Sequence, residues 1–289
     1  MVVEDVMSLS DWSSLGGGFA RAAWTSFRSR RSDPAIREEI RRSVELAVIP
    51  ERLARYREEC GEENDGCLPI TYPHALCATA HVALLSDRGF PFPVLGVVHV
   101  RNEIEQRRTI EEGATLRAEV SLETHRVVRR GYEYDLETVV WANDEPAWRE
   151  TTTFLVRAST DVNEGGRPRL EPPSAPERTE PWTVDAHQGR RFAKASWDFN
   201  PIHTSRLFAR LSGFASPIAH GMWMVARGLG AIGARKEATT VESFFLRPML
   251  LPATPDFVVK SDGDETVFAL LRPEDGRPHM VTRVAASTR

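Results

Sequence analysis

At 289 residues the chain is long enough for two domains of ordinary size, each with its own buried core. Apolar residues make up 41% and charged residues 27%, a globular composition that excludes a disordered chain or a membrane-embedded one. A formal net charge of −4 argues against a general nucleic-acid binder, so no nucleic-acid partner is expected.

Residues 1–40 read as an N-terminal arm. The stretch Arg21 to Arg31 is rich in Arg, Ser and Trp, as in a mitochondrial presequence, yet Glu4, Asp5 and Asp11 precede it and such peptides avoid acids. Three cysteines, Cys60, Cys67 and Cys77, match neither a disulfide framework nor a zinc spacing, which points to a reducing compartment. A cytoplasmic protein is expected, with the mitochondrial matrix as the alternative. No apolar run reaches the roughly 18 residues of a membrane span, so no membrane insertion is expected.

The first half, residues 41–157, holds an apolar helix opened by Pro69-Ile70-Thr71-Tyr72-Pro73. Strands follow. Leu116, Ala118, Val120 and Leu122 alternate with polar residues, as do Tyr132, Tyr134, Leu136, Thr138 and Val140, and the Arg129-Arg130-Gly131 turn should pair the two runs. Thr151 to Val156 reads as a further strand. Residues 158–181, with five prolines and Gly165-Gly166, read as a linker.

The second half, residues 182–289, opens with a helical pattern from about Val184 to Ser196 and continues with a second apolar helix near Gly221. Strands are expected at Val241 to Leu246, Asp256 to Lys260, Thr266 to Leu271 and Met280 to Ala285, with hairpin turns at Asp262-Gly263 and Asp275-Gly276. Pro217-Ile218-Ala219-His220-Gly221 echoes Pro69 to Pro73, and the two halves follow one order of elements. An internal duplication of an α+β unit is inferred.

The chemistry gathers in Trp197-Asp198-Phe199-Asn200-Pro201-Ile202-His203. Asn-Pro favours a turn, which lets a carboxylate and an imidazole five residues apart converge. Two such groups can hold a water between them, one taking a proton as another is delivered. On the short pattern alone, Asp198 would be an ordinary cap and His203 a surface residue; the downstream context tips the balance. Gly221 opens an apolar helix whose free N–H and dipole can polarise a carbonyl, and glycine allows close approach. A glycine needed only for tight helix packing is the competing reading. His220, beside it, either orients that donor or packs in the core.

The run from Asp198 to Met222 resembles the signature of MaoC-like type 2 enoyl-CoA hydratases, and the duplicated arrangement extends the resemblance over most of the chain, to double hot-dog members. The resemblance implies two antiparallel sheets, each wrapped around a long central helix and joined into one pseudo-dimeric chain. It implies reversible hydration of trans-2-enoyl thioesters to (R)-3-hydroxyacyl thioesters, with Asp198 and His203 activating water, Gly221 holding the thioester oxygen and Asn200 shaping the loop. An acyl-CoA or acyl-carrier-protein thioester would be the substrate, with no cofactor and no metal. A hot-dog thioesterase and a non-catalytic acyl-binding subunit are the rival functions, and a homodimer stays open.

In the first half, Glu62-Glu63-Asn64 lies roughly where Asp198-Phe199-Asn200 lies, but no histidine follows at the required spacing, and Pro73 is matched to Gly221. Proline lacks the N–H that an oxyanion would use. The first half is therefore expected to be catalytically silent and to shape the acyl site. Gly228-Leu229-Gly230-Ala231-Ile232-Gly233 satisfies a dinucleotide fingerprint but lacks the strand that must precede it. His74, His81, His99, His125, His187 and His279 show no metal-ligand spacing. Arginines at 126–130 and 190–191 either meet substrate phosphates or form a solvated face.

Overall fold

The computed structural model describes residues 6–7, 34–36, 38–94, 96–162, 169–234 and 237–287. Most of the expected arm, including Arg21 to Arg31, and residues 163–168 of the expected linker lie outside them. The described chain runs β1 (Val6–Met7), β2 (Ile40–Leu46), α1 (Pro50–Cys60), α2 (Tyr72–Leu85), β3 (Val97–Gln106), β4 (Leu116–Val128), β5 (Gly131–Ala142) and β6 (Glu145–Arg157) in the first half. The second half holds β7 (Arg178–Pro181), α3 (Gln188–Ser196), α4 (Pro201–Thr204), α5 (Arg206–Leu211), α6 (Gly221–Ile232), β8 (Thr239–Phe245), β9 (Asp256–Asp262), β10 (Glu265–Leu271) and β11 (Pro278–Ala286). The stretch expected as linker thus ends in an edge strand, β7, paired with β9.

Where two sheets are expected, one forms. Its strand order is β1-β2-β4-β5-β6-β3-β8-β11-β10-β9-β7. Apart from β1, each half contributes five strands in the same relative order, and β3 and β8 close the gap as antiparallel neighbours, Ile104 opposite Val241 and Glu103 opposite Glu242. Like charges facing each other across a ladder repel. Arg101 relieves them, its guanidinium reaching Glu242 at 2.7 Å and Glu103 at 2.5 Å. Ile104 and Val241 are wholly buried, so their face of the seam belongs to the core.

The helices follow from local sequence. Pro50 opens α1, where its fixed φ suits the first turn, and Leu53, Tyr56 and Cys60 place an apolar stripe on one face. Gly61, at φ 66°, ends the helix, and the N–H of Glu62 returns to Arg57 O at 3.0 Å. The central helices are apolar nearly all round, as helices packed between a sheet and other helices should be. α2 lies on β2 and β4, and α6 on β10 and β11. α1 packs on α3 and α6, so the halves interlock above the sheet as well as within it.

The glycines of the discounted dinucleotide pattern have packing roles. A Cβ on Gly228 would stand 2.2 Å from the Phe268 ring, and one on Gly230 would stand 2.4 Å from the carbonyl oxygen of Cys60. They let α6 approach the sheet and α1 closely. The indole of Trp223 on α6 then donates to Glu59 O on α1 at 3.0 Å.

One core runs through both halves, from Ile40 to Val284. Truncating the seam should therefore unfold both together. Ile104→Ala is expected to lower stability by about 2–5 kcal/mol, the usual range for such a cavity, with a single urea transition seen by both tryptophan fluorescence and circular dichroism.

Candidate active site

The site is built at the end of α3. The N–H of Trp197 returns to Ala193 O at 2.9 Å, and Trp197 itself takes the left-handed conformation, φ 62°. Such a φ is uncommon for a bulky side chain and needs support. Arg52, from α1 in the first half, supplies it. Its guanidinium stacks over the Trp197 ring at 4.0 Å, and Nε donates to Ala195 O at 2.9 Å. Nη2 donates to Ser196 O at 2.8 Å and to Ala75 O on α2 at 2.6 Å. Arg52 is almost completely buried, and its charge is met by carbonyls at a helix C-terminus, where the dipole favours a cation.

From this anchored end the chain turns by local hydrogen bonds. Asp198 N–H donates to Ser196 Oγ at 3.2 Å, and Asp198 Oδ1 accepts from the N–H of Asn200 at 3.1 Å. Asn200 Oδ1 in turn accepts from Ile202 N–H at 3.3 Å, capping α4, with Pro201 at the first helical position. This turn brings His203 back towards Asp198. Gly189 on α3 permits the fit, because a Cβ there would stand 2.2 Å from His203 O.

Asp198, His203 and His220 converge: a carboxylate oxygen and a ring nitrogen of each histidine all lie within 4.8 Å of one another. His203 and His220 stack, centroids 3.7 Å apart. His203 Nδ1 lies 2.8 Å from Ile218 O, which can only accept, so the ring proton sits on Nδ1 and the Nε2 lone pair is left open. His220 Nε2 donates to the backbone oxygen of Asp198 at 3.0 Å and stands 3.9 Å from its Oδ2. A single water can bridge groups at such separations.

Burial holds both imidazoles neutral, with His220 pushed down to about 3 and His203 below its ordinary value. Asp198 moves the other way. Loss of hydration works against its charge, but in the acid range where the carboxyl titrates His220, His203, the N–H of Asn200 and, last, His74 together keep it below its usual value.

Gly221 is the first residue of α6, and its N–H is one of the donors that a helix start leaves without an internal partner. A Cβ there would press on the Phe245 ring at 2.8 Å, so the position is closed to larger residues.

The first half repeats this design in part. α1 and α3 both end in a left-handed residue, Gly61 and Trp197, and Glu62 then falls on Asp198. Asn64 Oδ1 accepts from Gly66 N–H at 3.3 Å, as Asn200 does from Ile202. The position that matches His203 holds Cys67. The match of Pro73 to Gly221 is corrected: counted from the equivalent bridges Cys67–Glu111 and Ile218–Leu250, the residue on Gly221 is Ile70. A turn closed by Tyr72 N–H to Pro69 O delays α2, so no helix starts there.

Two sets of residues escaped the sequence reading. Arg52 carried no signal, being one arginine among several in α1. The histidines set aside as scattered are partly gathered: His74, His81 and His99 cluster around Glu150 and Asn102. His74 and His81, two turns apart on an otherwise apolar helix, were the visible hint.

Sequence comparison matches residues 170–250 to the MaoC like domain family. The chain is 35% identical over 247 residues to 3-hydroxyacyl-thioester dehydratase X of Mycobacterium tuberculosis, covering 83% of this chain and 86% of that protein. A crystal structure of that dehydratase superposes with a TM-score of 0.73 at 32% identity, over 86% of this chain and 99% of the other. A MaoC-like dehydratase from Phytophthora capsici, at 16% identity, superposes at 0.68 over 87% of this chain and 96% of that one. An acyl-ACP thioesterase from Bacteroides thetaiotaomicron, at 12% identity, superposes at 0.57 over 85% and 97%. The last two likenesses are of fold alone.

The anchoring of the Asp198 turn is testable apart from any activity. Arg52→Met keeps the bulk but strands three carbonyls, and it should lower stability by about 3 kcal/mol or more, since hydrogen bonds to charged groups contribute roughly 1.5–3 each. Chemical denaturation measures it.

Proposed function

Since the chain belongs to the MaoC-like family of 3-hydroxyacyl-thioester dehydratases, we propose that it interconverts trans-2-enoyl and (R)-3-hydroxyacyl thioesters by reversible addition of water, in fatty acyl metabolism and without a cofactor. The observation that carries this reading is the meeting of an ionised Asp198 and a neutral His203 with an open Nε2, beside the start of α6.

In the hydration direction a water sits between the two, one hydrogen bonded to the Asp198 carboxylate and the other to His203 Nε2. His203 takes a proton as the oxygen bonds to C3. The π electrons of the C2–C3 bond move to the thioester oxygen, where the N–H of Gly221 and the dipole of α6 offset the developing charge. The imidazolium then returns the proton to C2. Hydroxyl and proton come from one side, a syn addition, and no electron leaves the system. Dehydration runs the same steps backwards. Asp198 stays ionised throughout, orienting the water and stabilising the imidazolium.

The two halves, 41–157 and 182–289, are read as hot-dog units joined by residues 158–181 into a pseudo-dimer, with the second unit catalytic. The β3–β8 pairing supports this, since it joins equivalent edges as two separate subunits would. The substrate is an acyl-CoA or acyl-carrier thioester, and the proposed location is the cytoplasm. Hydrolysis of the thioester would direct water to C1 and is distinguished by release of free thiol.

Asp198→Asn and His203→Ala should each reduce hydration of a short enoyl-CoA, followed by loss of the enoyl absorbance, by on the order of 10²–10⁴-fold, with folding intact. Near-normal turnover in either would reject the assignment. The pH profile carries a sign: His203 must be neutral and its pKa lies below the ordinary 6.5. Hydration kcat/KM should therefore fall on the acid side with a midpoint below pH 6.5 and be level across the neutral range.

A further inference from the structure

The half expected to be silent contains a fully buried carboxylate close to the site. Glu150, on β6, has no exposed side-chain surface. Its Oε1 accepts from His74 Nδ1 at 2.7 Å and from the Asn102 amide, and its Oε2 has no partner among the described residues. An ionised carboxylate cannot be held so far from water without a cation beside it. A separation of 2.7 Å marks a shared proton rather than a shared metal ion, because two donors on bonds of about 2.1 Å at a tetrahedral angle stand roughly 3.4 Å apart. His74, at 2.7 Å, is the group placed to be that cation.

The other titratable groups around the pair leave that charge on His74. His81, on the same helix, bonds to Thr138 Oγ1 at 2.9 Å, and His99, on β3, bonds to Arg101 O at 3.0 Å; burial pushes both down to about 3. Cys77, also on α2, stays a thiol because burial raises it. His74 differs because burial, which alone would lower its pKa, is outweighed by Glu150. Glu150 is correspondingly drawn down to about 2 despite its burial.

Arg52 fixes where this charge stands. One nitrogen, Nη2, binds Ala75 O, next to His74, and Ser196 O, two residues before Asp198. A second line of contact runs from His74 to the His99 ring at 6.1 Å, then Phe245 at 4.6 Å, whose ring covers Gly221 beside His220. A cation at His74 adds to the groups that lower the Asp198 carboxyl, after His220, His203 and the Asn200 N–H. Of the three imidazoles that act there, His203 and His220 are neutral in the working range, which leaves His74 as the cation. Its second nitrogen has no partner among the described residues, and the side chain keeps 16% exposure.

We propose that Glu150 and His74 form a buried ion pair in the first half that acts on Asp198 as a positioning pair, holding it as the carboxylate that the water site needs. This rests on the reading of Asp198 as part of that site, and it makes the first half a contributor to the chemistry without touching substrate.

The test reads Asp198 directly. In the full-length protein with ¹³C-labelled aspartate, the Asp198 carboxyl is titrated by NMR in the native chain, in Glu150→Gln and in His74→Gln, with Asp198→Asn assigning the signal. Removing the cation, or the anion that keeps it charged, should raise the Asp198 pKa, by less than the roughly 1–3 units that an adjacent opposite charge supplies. Folded variants with an unchanged Asp198 titration would overturn the proposal. So would loss of the fold in both, which would make the pair structural only. A native chain without hydratase activity would sink the functional reading while leaving the titration result intact, so the two failures are separable.

Discussion

A guanidinium removed from water must find acceptors, and Arg52 finds them where both halves of the chain meet the Asp198 turn. It is met by the carbonyls of Ala75, Ala195 and Ser196 and by the Trp197 ring. Because Trp197 is left-handed and Asp198 comes next, everything downstream inherits its direction from this contact. The Asn200 cap, the α4 turn and the return of His203 are local hydrogen bonds that act on an already oriented chain.

The single sheet is the second constraint. With β3 and β8 paired, α2 and α6 lie over one continuous surface, and the N-terminal turns of both are brought to the region of the seam, as the His74–His99–Phe245–Gly221 contacts attest. Two halves with the same strand order can then differ in detail without separating. The second half keeps the histidine, the helix-start glycine and the anionic aspartate. The first keeps the turn geometry at Asn64 but loses the histidine, while supplying Arg52 from α1 and the Glu150–His74 pair from beneath α2.

Much of the fold was legible because its signals are local. Alternation over 116–122 and 132–140 marks β4 and β5, since side chains on a strand alternate faces, and the Arg129-Arg130-Gly131 turn joins them in register. The Asp262-Gly263 hairpin is read the same way. The expected start of α3 near Val184 was early because Asp185 and His187 form a turn first, His187 N–H bonding to Asp185 Oδ1 at 2.7 Å, and the helix begins at Gln188. The split into two sheets was misread for a different reason. Whether two edges pair depends on their shape and on burial across the gap, and alternation within one strand carries neither.

The sequence by itself determined the turn from Asp198 to His203 and its candidate residues, because Asp198, Asn200, Pro201, His203 and Gly221 lie on short stretches of chain where backbone preferences and hydrogen bonds are local. It also determined that one half lacked a matching histidine. Only the tertiary structure decided the charge states and the tautomer. Those depend on groups distant in sequence: Ile218 for the proton on His203, Glu150 for the charge on His74, and Arg52 for the position of Asp198. Electrostatic fields act through space between groups that folding brings close, and residue order alone does not state which groups those are.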